Sequence, residues 1–156
     1  MQAKQERMIS TAERFSELVA SNNMDAIVSC FTEDCAIEFL NVKLKGKNGV
    51  REWIKWLYGH MSELNFENSI TMVDGYLLFR ECTLSGKLHN GIKIRSKQAH
   101  IVVFDDDCLI TNFRYYFDRL DFIESAINRI VAKGVKQTFN QKTLKRLTKY
   151  EINAND

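Results

Sequence analysis

The stretch GIKIRSKQAHIVVFDDDCLITNFRYYFD (91–118) decides how this chain is read. Ile92, Ile94, Ser96, Gln98, His100, Val102 and Phe104 occupy every second position, and Lys93, Arg95 and Lys97 fall between them. A period of two predicts a strand over 91–105 with one face to a core and the other to water. The acidic run Asp105-Asp106-Asp107 predicts a turn. A return strand over 108–118 then turns Phe113, Tyr115 and Phe117 to the same side. The hairpin therefore sets a histidine and a tyrosine among apolar neighbours.

Working outward, period two continues upstream. Strands are expected at 65–73 and 76–88, divided by Asp74-Gly75 and followed by His89-Asn90-Gly91. The inward set in the second is Tyr76, Leu78, Arg80, Cys82 and Leu84. Before these strands the spacing is helical. Met8, Ile9, Ala12, Phe15, Leu18 and Val19 predict an amphipathic helix over 5–21. MDAIVSCF (24–31) predicts a short second helix, with Asp25 near its amino-terminal end. CAIEFLNV (35–42) reads as a strand, KGKNG (45–49) as a turn, and 50–61 as a helix with Val50, Trp53, Ile54 and Leu57 on one stripe.

After the hairpin, 119–132 returns to helical spacing and stops at Lys133-Gly134. Residues 136–151 are polar, with Phe139, Leu144, Leu147 and Tyr150 among lysines. Helices followed by a run of antiparallel strands make an α+β order. The expected organisation is one α+β domain over 1–132 and a basic, helical extension over 133–156.

Bulk properties exclude several classes. The chain has 156 residues, enough for one domain with a core. With 45% hydrophobic and 27% charged residues it falls among soluble globular proteins. No apolar run approaches the ~18 residues that span a bilayer. The polar, helix-patterned amino terminus does not resemble a secretory signal, so cytoplasmic residence is the expectation. Cys30, Cys35, Cys82 and Cys108 lack paired or zinc-finger spacing and are read as reduced packing residues. The net charge is +2, yet residues 133–156 carry six cations against two acids. The rest of the chain is therefore slightly acidic, and no global field for nucleic acid exists. The tail's lysines are open to two readings, a helix docked on the domain or a dimer partner, and a contact with an anionic surface. The Asp105–Asp107 run lacks the glycine and distal glutamate of a calcium loop, so no metal is expected there.

This order, with FSELVASNNMDAIVSCFTEDCAIEF (15–39) and CLITNFRYYFDRLDF (108–122), resembles the SnoaL-like, polyketide-cyclase-like branch of the nuclear transport factor 2-like superfamily. The resemblance spans about residues 5–125. It implies a cone: a curved, mostly antiparallel sheet wrapped around three amino-terminal helices, enclosing an apolar pocket, commonly in a homodimer. It is distantly similar to ketosteroid isomerase and limonene epoxide hydrolase, and both catalytic patterns are broken. The isomerase's helical tyrosine falls on Phe15 and its catalytic carboxylate on Phe39, while its second, protonated carboxyl falls on His100. The hydrolase's two carboxylates fall on Cys82 and Tyr115, though an arginine is kept at Arg80. Neither mechanism can run without those groups.

The candidates left in the implied hollow are His100, Tyr115 and Arg80, with Phe15, Phe31, Phe39, Trp53, Trp56, Tyr58 and Cys82 as walls. His100 has the chemistry of an acid/base, since imidazole titrates near ~6.5; the alternative is a neutral histidine bonded to backbone or to Tyr115. Arg80 either contacts an oxygen of a ligand or bridges to an acid of the scaffold. The functional expectation is binding of a small apolar or carbonyl-bearing ligand. Cofactor-free isomerisation, cyclisation or dehydration with His100 as acid/base is one form of it. The alternative is a non-catalytic carrier or interaction module acting through its dimer face or basic tail.

Overall fold

The computed structural model describes residues 2–118, 120 and 121. The extension at 133–156, and all but residues 120 and 121 of the expected helix at 119–132, lie outside the described residues.

Helix α1 (Gln2–Ala20) buries Met8, Ala12, Phe15 and Val19, the stripe that helical spacing sets on one side. It stops at Asn22, which takes a positive φ of 54°, while the Asn23 amide bonds back to the Leu18 carbonyl. The Asn23 side chain accepts from the Ala26 amide and so caps α2 (Met24–Ser29). Strand β1 (Phe31–Phe39) and the short β2 (Val42–Lys45) form a hairpin turning at Leu40, also at positive φ. Helix α3 (Gly46–His60) follows directly. Gly46 has a φ of +65°, and a Cβ there would lie 3.1 Å from the Glu33 carbonyl oxygen. Four strands complete the described chain: β3 (Met61–Asp74), β4 (Leu77–Leu88), β5 (Lys93–Phe104) and β6 (Ile110–Phe117).

The sheet runs β2-β1-β6-β5-β4-β3. Neighbours pair antiparallel except β1 and β6, which are parallel. Helices and sheet thus form the expected α+β architecture, a curved and unclosed sheet holding the helices on its inner face. Gly86 marks the close approach of β3 to β4. A Cβ there would meet the Glu63 carbonyl oxygen at 2.5 Å, beside a register shift in β3.

Several boundaries differ from the sequence reading, each for a local reason. KGKNG does not form a separate turn. Lys45 ends β2 and the helix begins at Gly46, four residues early, because the left-handed glycine makes the corner by itself. Strand β1 begins at Phe31, which is fully buried, and takes the last residue assigned to the second helix. Strand β6 starts at Ile110 rather than 108, because Asp105 Oδ1 accepts from both the Asp107 and Leu109 amides and prolongs the turn. Tyr76 was expected inward but is 47% exposed; its hydroxyl donates to Asp106 at 2.7 Å, and Lys4 lies over its ring. The strand set Leu78, Arg80, Cys82 and Leu84 is buried as the alternation requires, as is the whole set from Ile92 to Phe104.

Candidate functional site

Cross-strand register assembles one inner row from five strands. Thr71 pairs with Arg80, Arg80 with His100, His100 with Tyr115, and Tyr115 with Phe39. Three residues 15 to 35 positions apart thereby become neighbours on one face. Helices α1 and α3 lie across this row, and between them and the sheet is a cavity of about 370 Å³. Phe15 and Ser16 of α1 and Trp53 and Leu57 of α3 form one wall. Gln98, His100, Phe113 and Tyr115 form the other. Leu40 and Trp56, both more than 40% exposed, lie where the cavity meets solvent. Among the described residues, no carboxylate lines it.

The polar groups are held in place by neighbours. The Trp53 indole Nε1 donates to the Tyr115 hydroxyl at 2.9 Å, so the tyrosine's own proton remains available to a ligand. Burial raises the Tyr115 hydroxyl well above the ordinary phenol range, with the Trp53 bond opposing. His100 is 5% exposed, and its Nε2 lies 3.0 Å from Gln98 Oε1. Phe66 and Phe113 meet its ring edge to face at 5.8 and 5.3 Å. Burial first, and the charge of Arg80 second, push the imidazole down to about 3. It is neutral throughout the physiological range, and the Gln98 contact makes Nε2–H the donor. Cys82 Sγ lies 3.8 Å from His100 Nε2, and burial raises its thiol to about 11, so it is no thiolate.

Arg80 stands behind the cavity wall. Its Nη1 donates to Ser16 Oγ at 2.8 Å and to the Ala12 carbonyl at 3.3 Å, and its Nε donates to Thr71 Oγ1 at 3.4 Å. It ties α1 to the sheet and reaches the cavity only through Ser16. Of the other sequence candidates, His100, Tyr115, Phe15, Trp53 and Trp56 line the cavity. Phe31, Phe39, Tyr58 and Cys82 do not. Phe31 packs beneath Phe15, and Phe39 stacks on Tyr115 at 5.1 Å. The Tyr58 hydroxyl donates to the Val19 and Ala20 carbonyls, closing α3 onto the end of α1.

Sequence reasoning missed Ser16 and Gln98 as site residues. Gln98 carried a usable signal, an amide on an apolar-facing strand position two residues from the histidine. Ser16 carried none, because a serine beside the apolar stripe of a helix has no distinguishing pattern. Among the described residues, no three His, Cys, Asp or Glu side chains converge as a metal site. No helix of the described residues is long and apolar enough to cross a membrane.

The family model for the SnoaL-like domain matches residues 12–113. No curated protein matches the chain. Solved structures with the same fold include a putative polyketide cyclase of Xanthomonas campestris pv. campestris. It has 16% identity and a TM-score of 0.70 over 77% of this chain and 96% of that one. A putative isomerase of Bacillus subtilis has 18% identity and a TM-score of 0.65, covering 77% and 92%. A putative SnoaL-like polyketide cyclase of Shewanella putrefaciens CN-32 has 11% identity and a TM-score of 0.70, covering 77% and 85%. At such identities the likeness is one of fold. The family match extends over most of the chain, from the middle of α1 through the row that carries Arg80 and His100 to Phe113 in β6: the chain belongs to the SnoaL-like domain family, built on the nuclear transport factor 2-like fold.

Proposed function

We propose that this protein binds a small, largely apolar molecule in the cavity, holding one carbonyl oxygen of it by the Tyr115 hydroxyl. The observation that carries this reading is a cavity of about 370 Å³ whose walls are apolar except where Ser16, His60, Gln98, His100 and Tyr115 meet it. That is the usual composition of a small-molecule site. The Trp53 bond leaves Tyr115 free to donate, and desolvation makes that donation strong.

The same groups support cofactor-free proton transfer, an isomerisation, cyclisation or dehydration, in which Tyr115 stabilises an oxyanion and His100 accepts a proton. Arg80 contributes to that chemistry by its charge, through Ser16, rather than by touching the substrate. The imidazole is a weak base in the empty cavity, and it gains basicity only beside negative charge on the substrate. The non-catalytic alternative, a ligand carrier, rests on that same weak basicity. Four free, buried cysteines support residence in a reducing compartment such as the cytoplasm.

The test is a titration with 2-acetylnaphthalene, a neutral bicyclic ketone, followed by tryptophan fluorescence. Saturable binding is expected, with affinity reduced about 3- to 10-fold by Tyr115→Phe, the effect of one lost hydrogen bond. Absence of binding to the folded protein overturns the reading. Full activity of His100→Ala on any substrate found later would remove the proton-transfer role.

We also propose a homodimer formed through the outer face of the sheet. Ile70, Met72, Leu77 and Tyr116 are exposed there, between 39% and 63%. Met72, Phe79 and Ile101 form a continuous cross-strand row that runs on through Arg114 to Glu38. Arg114 Nε and Asn112 Oδ1 are buried without a hydrogen-bond partner among the described residues, and they are a donor and an acceptor two positions apart. The exposed apolar side chains of this face are what a two-fold related copy would cover. Sedimentation should give a dimer for the wild type and a monomer for Met72→Lys; a monomeric wild type would refute the interface.

A further inference from the structure

Arg80 is a buried cation without a counter-charge among the described residues. It is 5% exposed, and its hydrogen-bond partners are three neutral oxygens, those of Ala12, Ser16 and Thr71. Every ion pair among the described residues lies elsewhere. The titratable neighbours on its face, His100, Tyr115 and Cys82, are all neutral. Glu81, adjacent in sequence, points to the opposite face of β4. Folded proteins seldom leave a desolvated guanidinium without an anion.

Through Ser16 that cation adjoins the cavity on its own side of the sheet. Ser16 donates to the Ala12 carbonyl at 3.0 Å while accepting from Arg80. Arg80 also donates to the Ala12 carbonyl, so the serine proton can turn into the cavity without orphaning that oxygen. Ser16, the Gln98 amide and Tyr115 are then donors lining a chamber that is mostly apolar. Donors backed by a buried positive charge suit an oxygen that carries a full negative charge.

We infer that the ligand of this cavity is an amphipathic monoanion, an apolar body of about two fused rings ending in a single carboxylate whose charge neutralises Arg80. This rests on the cavity being a ligand site and names the class of ligand it takes. A bound carboxylate lies within the low-dielectric wall that separates it from the guanidinium, where screening by salt is weak. A ligand of the same shape without charge gains nothing from Arg80.

The experiment compares two probes of nearly the same shape, 2-naphthoate and 2-acetylnaphthalene, by calorimetric titration of the full chain at pH 7. The wild type is expected to bind 2-naphthoate at least ~10-fold more tightly than the ketone, an advantage that 0.5 M salt reduces little. Arg80→Lys keeps the charge and should retain most of the preference. Arg80→Met should abolish it. The wild-type comparison stands even where Arg80→Met fails to fold. Equal binding of the two probes, or tighter binding of the ketone, overturns the monoanion inference and leaves the cavity reading intact. Binding of neither probe overturns both.

Discussion

Replacing Trp53 by alanine is expected to cost about 3–5 kcal/mol of stability and to remove ligand binding. The ring is 4% exposed, stacks on Phe15 at 6.1 Å, and meets Phe113 edge to face at 5.6 Å. Its loss opens the core between α1, α3 and the sheet, and it strips the Tyr115 hydroxyl of its donor. Packing and hydrogen bonding can be separated. Trp53→Phe keeps most of the apolar volume, and its loss beyond packing should be about 1 kcal/mol. A double-mutant cycle with Tyr115→Phe, read by urea unfolding, should return a coupling of that size. A coupling near zero would mean that the indole does not orient Tyr115.

Acid is expected to destabilise the protein through His100 well before the carboxylates titrate. In the folded state the imidazole stays neutral down to about pH 3, whereas in the unfolded chain it takes a proton near its ordinary 6.5. Between those values the unfolded state binds more protons, so stability falls as pH falls. One such group contributes a slope of about 1.4 kcal/mol per pH unit, or roughly 2 kcal/mol between pH 6.5 and 5. Cys82 and Tyr115, which face the ring and are held above their ordinary ranges, stay protonated over that interval. Arg80 is the remaining charged group against it. Unfolding free energies of wild type and His100→Gln, measured every half unit of pH, should diverge in slope by about one proton. Parallel curves would show that His100 is hydrated and charges normally in the folded protein.

The site was legible wherever it depends on strand alternation. That periodicity put Arg80, Cys82, His100 and Tyr115 on one inner face, because a period of two leaves only two possible orientations for each residue. Which of them reach the cavity was not legible. Arg80 and His100 alternate identically, yet one is covered by Ser16 and the other is open to the space. That difference depends on how α1 crosses the sheet. Burial of His100 among aromatics, not its sequence neighbours, sets its protonation, so its charge state could not be read in advance. The outer face was half legible. Lys93, Arg95 and Lys97 declared it solvated at one end of β5, while the apolar row through Met72, Phe79 and Ile101 exists only once register aligns three strands.

The central claim is that the cavity bounded by Trp53, His100 and Tyr115 is where a ligand binds. The most direct measurement follows the two tryptophan indole N–H resonances by NMR during titration with 2-acetylnaphthalene. Trp53 is buried against Tyr115 and Trp56 is at the mouth, so both border the cavity. Saturable shifts of both resonances, with Trp53 perturbed through its hydrogen bond, are the predicted result. A folded protein whose indole resonances remain unmoved up to the solubility limit of the ketone would contradict the account.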